Sequence, residues 1–410
     1  MSQIFVPFDE FKKSLNKKTV KKSIPELKKG NASDNEIELM RSYLVKRYRG
    51  VNAVHSYIDG EYQVWDCIPV ANQPALRKKK SSFENIPPYP GDYTADVANA
   101  ASTYITELTT KDVNGNSMQC PEGSIPMRRL SMEELVQFES LQQFFGKESS
   151  PFNFPIENSR IGALTPIDIP RKYSFAKQLI ANKGGSAILN LWQPIVSNNN
   201  QELTLAQIWL VGGRDDKLQT IEVGWQVYPK KYGTKKPVLF IYWTADNYKQ
   251  TGSYNLEMKN TFVQVSNQWS FGGTLSPVSV MGGDQFDIRV EWYLTGNAWW
   301  LYINKTAVGY YPSKLFGAGI LSKMAEGILV GGEAAGKGSW PQMGSGAFAN
   351  QGFGTSAYIR NICFFDMNDA VQTVKLTPDI QTPNCYDFKN GIEPSWGSNF
   401  FYGGPGGNQC

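Results

Sequence analysis

From residue 173 to the C-terminus, short apolar runs rich in aromatic and β-branched residues recur at close intervals, divided by glycine, asparagine and proline. They are Gly185–Trp192, Leu205–Val211, Thr220–Tyr228, Val238–Thr244, Thr261–Val265, Phe286–Leu294, Trp299–Ile303, Ala307–Tyr311 and Tyr358–Phe365. Runs this short between turn signals read as strands, and their steady recurrence predicts an antiparallel β-sandwich or barrel. The chain's 38 glycines, 22 phenylalanines, 20 tyrosines and 11 tryptophans favour strands and tight turns over helices. A length of 410 residues calls for more than one domain. No heptad pattern, low-complexity tract or internal repeat argues for another architecture.

The N-terminal part reads differently. Residues 1–50 are helical in pattern, with Phe8, Phe11 and Leu15 on one stripe. Residues 55–69, HSYIDGEYQVWDCIP, place an Asp-Gly turn between two aromatic runs, a hairpin signal. Residues 71–95, with Lys78–Lys80 and Pro87, Pro88 and Pro90, read as an exposed connection. A second hairpin is expected from Tyr104 to Gln119 around Asn114-Gly115. Ser131-Met132-Glu133-Glu134 forms a capping box for a helix running to about Phe145. Residues 146–172 show little periodicity and read as a linker open to cleavage. The expected division is therefore a smaller α+β domain over 1–150, a linker over 151–172 and a β-sandwich over 173–410.

Net charge is +4, but the first fifty residues hold twelve Lys/Arg against six Asp/Glu, a local excess of +6. The reading adopted is a solvated segment, or one docked on an acidic face of its own chain, rather than a nucleic-acid or membrane contact. No run reaches the roughly 20 apolar residues of a membrane-spanning helix. Met1 is followed by polar Ser2-Gln3 and Lys-rich sequence, so an exported chain has lost its leader or leaves by another route. The sole histidine, His55, stands far from the aromatic-rich half, which argues against Ser-His-Asp, Cys-His and His-rich zinc chemistry. Cys67, Cys120, Cys363, Cys385 and Cys410 form no CxxC. Their wide spacing fits two disulfides and one free thiol in an oxidising compartment, with no metal and no cofactor expected.

Two segments can carry chemistry. In Thr220–Pro229, strand alternation puts Ile221, Val223, Trp225 and Val227 on one face and Glu222, Gly224, Gln226 and Tyr228 on the other. A glycine between Glu222 and Gln226 leaves room for an approaching ligand backbone, or is incidental on a polar outer face. In Val330–Gly336, Glu333 follows two glycines, as a residue pointing into a cleft or as an exposed turn residue. Gln342-Met343-Gly344-Ser345-Gly346 again sets a polar side chain among glycines. Two carboxylates in one cleft divide acid and base work without metal or histidine. The same pair also suits glycoside hydrolysis.

These residues sit within longer blocks. Tyr62–Ile68, Gln73-Pro74-Ala75 and Cys120–Arg129 occur first, then Gln207-Ile208-Trp209-Leu210, Ile221–Pro229 and Phe240–Asp246. After them come Thr251-Gly252, Tyr254-Asn255-Leu256, Phe262-Val263-Gln264, Trp299-Trp300-Leu301, Gly309–Pro312, Gly331-Gly332-Glu333, Gln342–Gly346 and Phe401–Gly406. In this order, over most of the chain, the sequence resembles the neprosin family, secreted glutamic peptidases whose precursors carry an N-terminal activation domain. The resemblance implies a catalytic sandwich of the seven-stranded antiparallel type and cleavage after proline at acid pH. Its catalytic glutamates fall on Glu222 and Glu333. Gly224, Gln226, Tyr242, Trp243 and Gln342 are expected to bind substrate.

On that reading the chain is a secreted, monomeric zymogen acting on protein or peptide, and its pro-domain is an intramolecular inhibitor. Neither nucleic acid nor membrane is expected as a partner. Cys67 is expected to pair with Cys120 and Cys385 with Cys410, each within one domain, leaving Cys363 as a buried thiol. Two departures stand out. Ser253 and Met258 replace cysteines that usually flank the Tyr-Asn-Leu block, so that loop is expected to be more mobile. Val330 stands where a tryptophan is usual. The competing reading is a non-catalytic glycan- or cell-wall-binding sandwich, because aromatic sandwich faces bind sugars well.

Overall fold

A computed structural model of the chain describes residues 5–16, 32–76, 84–90, 102–104, 110–112, 116–147, 169–197, 200–380, 382–391 and 394–410. It divides into two compact units. The first comprises Met1–Glu84, Glu107–Lys147 and Ser253–Gly273, and the second Asn85–Thr106, Glu148–Gly252 and Thr274–Cys410. A single cut near residue 150 therefore does not separate them. Residues 85–106 cluster with the later half, and residues 253–273 with the N-terminal part.

In the first unit, α1 (Phe8–Asn16) and α2 (Asp34–Tyr48) are the helices of the basic segment. Phe8 and Phe11 meet the Tyr48 ring edge-on at 5.9 and 5.1 Å, so the predicted stripe is a packing stripe. Ser33 caps α2 by accepting from the Glu36 amide. The predicted hairpin is present as β1 (His55–Ile58) and β2 (Val64–Pro69), extended by β3 (Ser124–Arg128) into an antiparallel sheet. The Cys67–Cys120 disulfide staples this sheet. The second expected hairpin pairs residues 110–111 with 117–118, while Asn114-Gly115 lie outside the described residues.

The capping box at Ser131 is formed, but the helix it begins ends early. It runs Met132–Leu135 (α3), and Ser140 caps a second helix, Leu141–Phe145 (α4). A serine whose side chain accepts from the amide three residues on restarts a helix instead of continuing one.

Residues 253–273 are held in this unit by side chains far away in sequence. The Arg47 guanidinium donates to the Leu256 and Glu257 carbonyls at 2.6 and 3.0 Å, and the Tyr43 hydroxyl to Glu257 at 2.7 Å. The Gln73 amide donates to the Gln264 carbonyl at 2.9 Å and accepts from its N–H at 3.0 Å, standing in for a neighbouring strand. The loop that lacks its expected disulfide is thus tied through its backbone by α2.

The second unit is a β-sandwich. One sheet runs β8-β7-β6-β12-β4-β14, built from Val238–Thr244 (β8), Gln219–Val227 (β7), Gln201–Gly212 (β6), Ala325–Gly336 (β12), Arg171–Asn182 (β4) and Thr377–Ile380 (β14). The other runs β11-β10-β9-β5-β13-β16-β15, from Thr306–Pro312 (β11), Ala298–Ile303 (β10), Gln285–Thr295 (β9), Gly184–Asn190 (β5), Ala357–Phe365 (β13), Phe400–Gly403 (β16) and Asp387–Asn390 (β15). These neighbours are antiparallel, while residues 102–104 add a short parallel pairing to the start of β9. The mainly β, antiparallel sandwich expected from the sequence is therefore the fold.

Ile221, Val223, Trp225 and Val227 are fully buried on one face of β7, and the Trp225 indole donates to the Asn190 carbonyl of the other sheet at 3.0 Å. Cys385 is bonded to Cys410, and Cys363 is a buried free thiol on β13. Arg171 and Lys172, assigned to the linker from composition, instead open β4 and pair with Ala335 and Ala334 of β12. Their charges disguise the strand because only part of β4 is buried. Residues 151–168 lie outside the described residues. Among the described residues no helix is long and apolar enough to cross a membrane.

Arg47→Met removes the donor of the buried Leu256 carbonyl and one of the two donors of the Glu257 carbonyl, so the full-length chain should lose about 2 kcal/mol of stability. Urea unfolding of both proteins measures it. A loss under about 0.5 kcal/mol would mean that water satisfies those carbonyls equally well.

Candidate active site

The face of the first sheet that turns away from the second sheet is where the candidate residues gather. Opposed residues in a ladder share a face. Glu222 of β7 stands opposite Trp209 of β6 and Tyr242 of β8. Glu333 of β12 stands opposite Leu205 of β6 and Tyr173 of β4. Because Trp209 and Leu205 lie four residues apart on β6, the two glutamates share one face. They are offset by two strands, roughly 10 Å across the sheet, and by roughly 13 Å along it. Gln207 stands between them, opposite Gly224 on one side and Gly331 on the other. Glu333 is thus a mid-strand residue and not part of a hairpin turn.

Both carboxylates are fully buried, and each has its own set of partners. Glu222 Oε1 accepts from the Thr220 hydroxyl at 2.8 Å and the Tyr248 hydroxyl at 2.7 Å. Glu333 Oε1 is paired with Arg171 Nη1, and its Oε2 accepts from Gln207 Nε2 at 3.1 Å. Buried carboxylates need such donors, since desolvation otherwise favours the neutral acid. The two carboxyls are thus held separately, each by its own donors.

Tyr248 reaches Glu222 from an unusual backbone. Asn247 and Tyr248 are both left-handed, with φ of 57° and 61°, a conformation that costs on the order of 1–2 kcal/mol for a residue with a side chain. The Thr244 hydroxyl accepts from the Tyr248 N–H at 3.0 Å, and Asp246 accepts from the Thr251 N–H and hydroxyl at 3.1 and 2.7 Å, which locks the loop. The Tyr248 ring stacks on Tyr242 with centroids 5.8 Å apart. Burial first, and the Glu222 charge second, push the Tyr248 phenol well above its ordinary range, so it stays protonated and donates.

The sequence-predicted ligand residues divide. Tyr242 lies on the Glu222 face. Trp243, its neighbour, points the other way and packs edge-on against Phe316 at 6.2 Å, because adjacent residues on a strand face opposite sides. Gln226 is on the shared face and donates to the Tyr232 hydroxyl at 2.9 Å. Gln342 lies in the segment after β12, where its side-chain oxygen accepts from the Ile195 amide at 3.0 Å and ties two loops.

Gly224 does not open a space, contrary to the expectation. A Cβ there would lie 1.9 Å from the Ala206 carbonyl oxygen, so β6 itself fills the gap. Gly331 and Gly332 are explained the same way, by the backbone at Phe175 and by the Met343 and Tyr402 side chains.

Sequence reasoning passed over Thr220, Gln207, Tyr248 and Arg171. Thr220 was within reach, since it stands two residues before Glu222 on the same face. The others come from different strands or from a loop, and only the ladder brings them together. The Oε1 atoms of Gln207 and Gln226 are buried without a hydrogen-bond partner among the described residues, two acceptors on the glutamate face.

A separate cavity of about 430 Å³ lies in the first unit, beside Lys12, Lys13, Tyr48 and Arg49. Asp9 is the single carboxylate among its described lining residues, so it offers no carboxylate pair, and the glutamate face is the stronger candidate despite being closed.

The family comparison bears on the same half of the chain. A family model described as Neprosin matches residues 200–405. Among solved structures, the chain is similar to Scytalido-glutamic peptidase with a peptide based transition state analog. Identity is 11%, over 58% of this chain and 98% of that one, with a TM-score of 0.31. It is similar to SCP-B, a member of the Eqolisin family of peptidases in complex with the tripeptide Ala-Ile-His, at 10% identity over 57% and 98% with a TM-score of 0.30. A homodimeric agglutinin from chicken liver, CG-16, matches at 8% identity over 39% and 93% with a TM-score of 0.20.

Tyr248→Phe keeps the ring stack and removes one donor from buried Glu222. Stability near pH 7 should fall by about 1–3 kcal/mol. A phenol held protonated in the folded state contributes stability below its unfolded pKa, about 10, that is lost as pH rises further. The wild-type advantage should therefore shrink above pH ~10. Urea unfolding of both proteins at pH 7 and in alkali tests this, and a pH-independent difference would assign Tyr248 a packing role only.

Proposed function

The chain belongs to the Neprosin family, and we propose from this and from its glutamate face that it is the precursor of a glutamic endopeptidase. The observation that carries the reading is the placement of Glu222 and Glu333 on one buried face, with Gln207 between them. One carboxylate, ionised, takes a proton from water as it attacks the scissile carbonyl. The other, protonated, donates to the carbonyl oxygen and takes that proton back as the tetrahedral intermediate collapses, while the first passes the proton it took from water to the leaving amine. Peptide N–H groups are the natural complement of the two unpartnered glutamine oxygens. Cleavage after proline follows from the family resemblance, and Tyr242 with Tyr248 supplies an aromatic wall beside Glu222 suited to a proline ring.

The N-terminal region acts as an intramolecular inhibitor in this reading, with activation in acid. Lysine and arginine stay charged there while carboxylates take up protons, so attraction between the basic segment and an acidic cleft weakens. The maturation cut falls before β4, because Arg171 and Lys172 are already part of the sheet. Export into an oxidising compartment agrees with the two disulfides.

Digestion of a denatured protein mixture across pH 2–7, with cut sites mapped by mass spectrometry, tests activity and specificity together. Acid-dependent cuts clustered after proline are expected. Release of reducing sugar from glycans without proteolysis would favour a glycosidase instead.

Glu222→Gln and Glu333→Gln should each lower hydrolysis by at least about a thousandfold. Glu333→Gln also strands the Arg171 guanidinium, at a cost of about 3–5 kcal/mol, so near-ultraviolet circular dichroism must confirm its fold. Full activity in either folded variant would remove the pair from the mechanism. Incubation of full-length wild type at pH 3 and pH 7 beside Glu222→Gln tests self-activation. Shortening in acid by the wild type alone is expected, and equal shortening of both would assign the cut to another enzyme.

A further inference from the structure

The buried Glu333 carboxylate has a cation against it. Arg171 is the first residue of β4 and stands opposite Ala335, two residues beyond Glu333 and on the same face. Its guanidinium is itself almost enclosed, with 5% of the side chain exposed, and it contacts Glu333 Oε1 while Gln207 holds Oε2. Both oxygens of the carboxylate are therefore oriented, one of them by a permanent charge.

Glu222 meets a different environment, the hydroxyls of Thr220 and Tyr248. Other groups on this face are matched elsewhere. Lys177 of β4 pairs with Asp379 of β14 at 2.7 Å, Tyr173 lies opposite Glu333, and Lys172 points to the other face, toward the Cys410 carbonyl.

We propose that Arg171 is a positioning residue that keeps Glu333 ionised and aligned in acid, so that Glu333 serves as the base. This rests on the reading of Glu222 and Glu333 as the reacting pair. The reasoning is electrostatic. A fully buried carboxyl without a cation favours its neutral form, and a neutral acid cannot take a proton from water. An adjacent guanidinium reverses that preference and stays charged at every working pH. Arg171 also opens the first strand after the linker, so the protonation of Glu333 depends on β4 being paired with β12.

The test compares wild type, Arg171→Met and Arg171→Lys as full-length chains incubated at pH 3 and then assayed on a dye-labelled denatured protein from pH 2 to 7. In Arg171→Met the acid limb of kcat/KM should move up by about 1–3 pH units, with the greatest loss at the lowest pH. Arg171→Lys should recover most of the wild-type profile. An equal loss at every pH would mean a packing role, and a gain at every pH would mean a blocking contact, and either result overturns the proposal.

Should Arg171→Met fail to activate itself, urea unfolding of the same chains still decides. The wild-type advantage should diminish as pH falls and Glu333 becomes protonated, whereas a packing role gives a difference that is independent of pH. A folded, fully active Glu333→Gln would instead refute the reacting pair itself, with the unfolding result for Arg171 unaffected.

Discussion

Two ionisable groups sealed inside one face of a β-sheet are the constraint to which the rest of the second unit answers. Taking a carboxylate out of water costs several kcal/mol unless donors replace the lost solvent. Around Glu333 the donors are a guanidinium and an amide; around Glu222 they are two hydroxyls. The Tyr248 hydroxyl is delivered by two consecutive left-handed residues, an arrangement a loop does not adopt unless its neighbours impose it. Thr244, Asp246 and Thr251 impose it, through a closed set of side-chain bonds to the loop backbone.

The opposite face of the same sheet has a simpler task, to exclude water against the second sheet, and it does so with Ile221, Val223, Trp225 and Val227. One strand thus carries both jobs in alternate residues. Close strand approach is what makes this geometry tight. Gly224 and Gly331 flank Gln207 in the same row, and a side chain at either would strike the neighbouring backbone. The row of glycines around a central glutamine brings β7, β6 and β12 together between the two carboxylates. A larger residue at Gly224 would spread the strands and separate the groups that share this surface.

The first unit shows how far sequence order and spatial order diverge. Residues 253–273 follow β8 in the chain but belong with α2, through Arg47, Tyr43 and Gln73. Where relatives of this chain are expected to have a disulfide, backbone carbonyls here are satisfied by a buried arginine. Unlike a covalent staple, which acts on the unfolded chain, these hydrogen bonds exist only while α2 is in place.

The alternation of Thr220–Pro229 and the recurrence of short aromatic runs determined the strands, the sandwich and the face on which Glu222 lies, because a period of two is a property of the chain itself. Cysteine spacing suggested two disulfides and a free thiol, and the expected domain division gave the pairs that the structure shows. What the sequence hid were β4, whose charged start looked like a linker, the break in the helix at Ser140, and the true reason for Gly224. The pairing of Arg171 and Gln207 with Glu333, and of Tyr248 with Glu222, was decided only by the tertiary structure. Local sequence settles which face a residue occupies, but which residues meet across strands depends on ladder order and register. Those are set by the burial and hydrogen bonding of the whole sheet, and no single strand contains them.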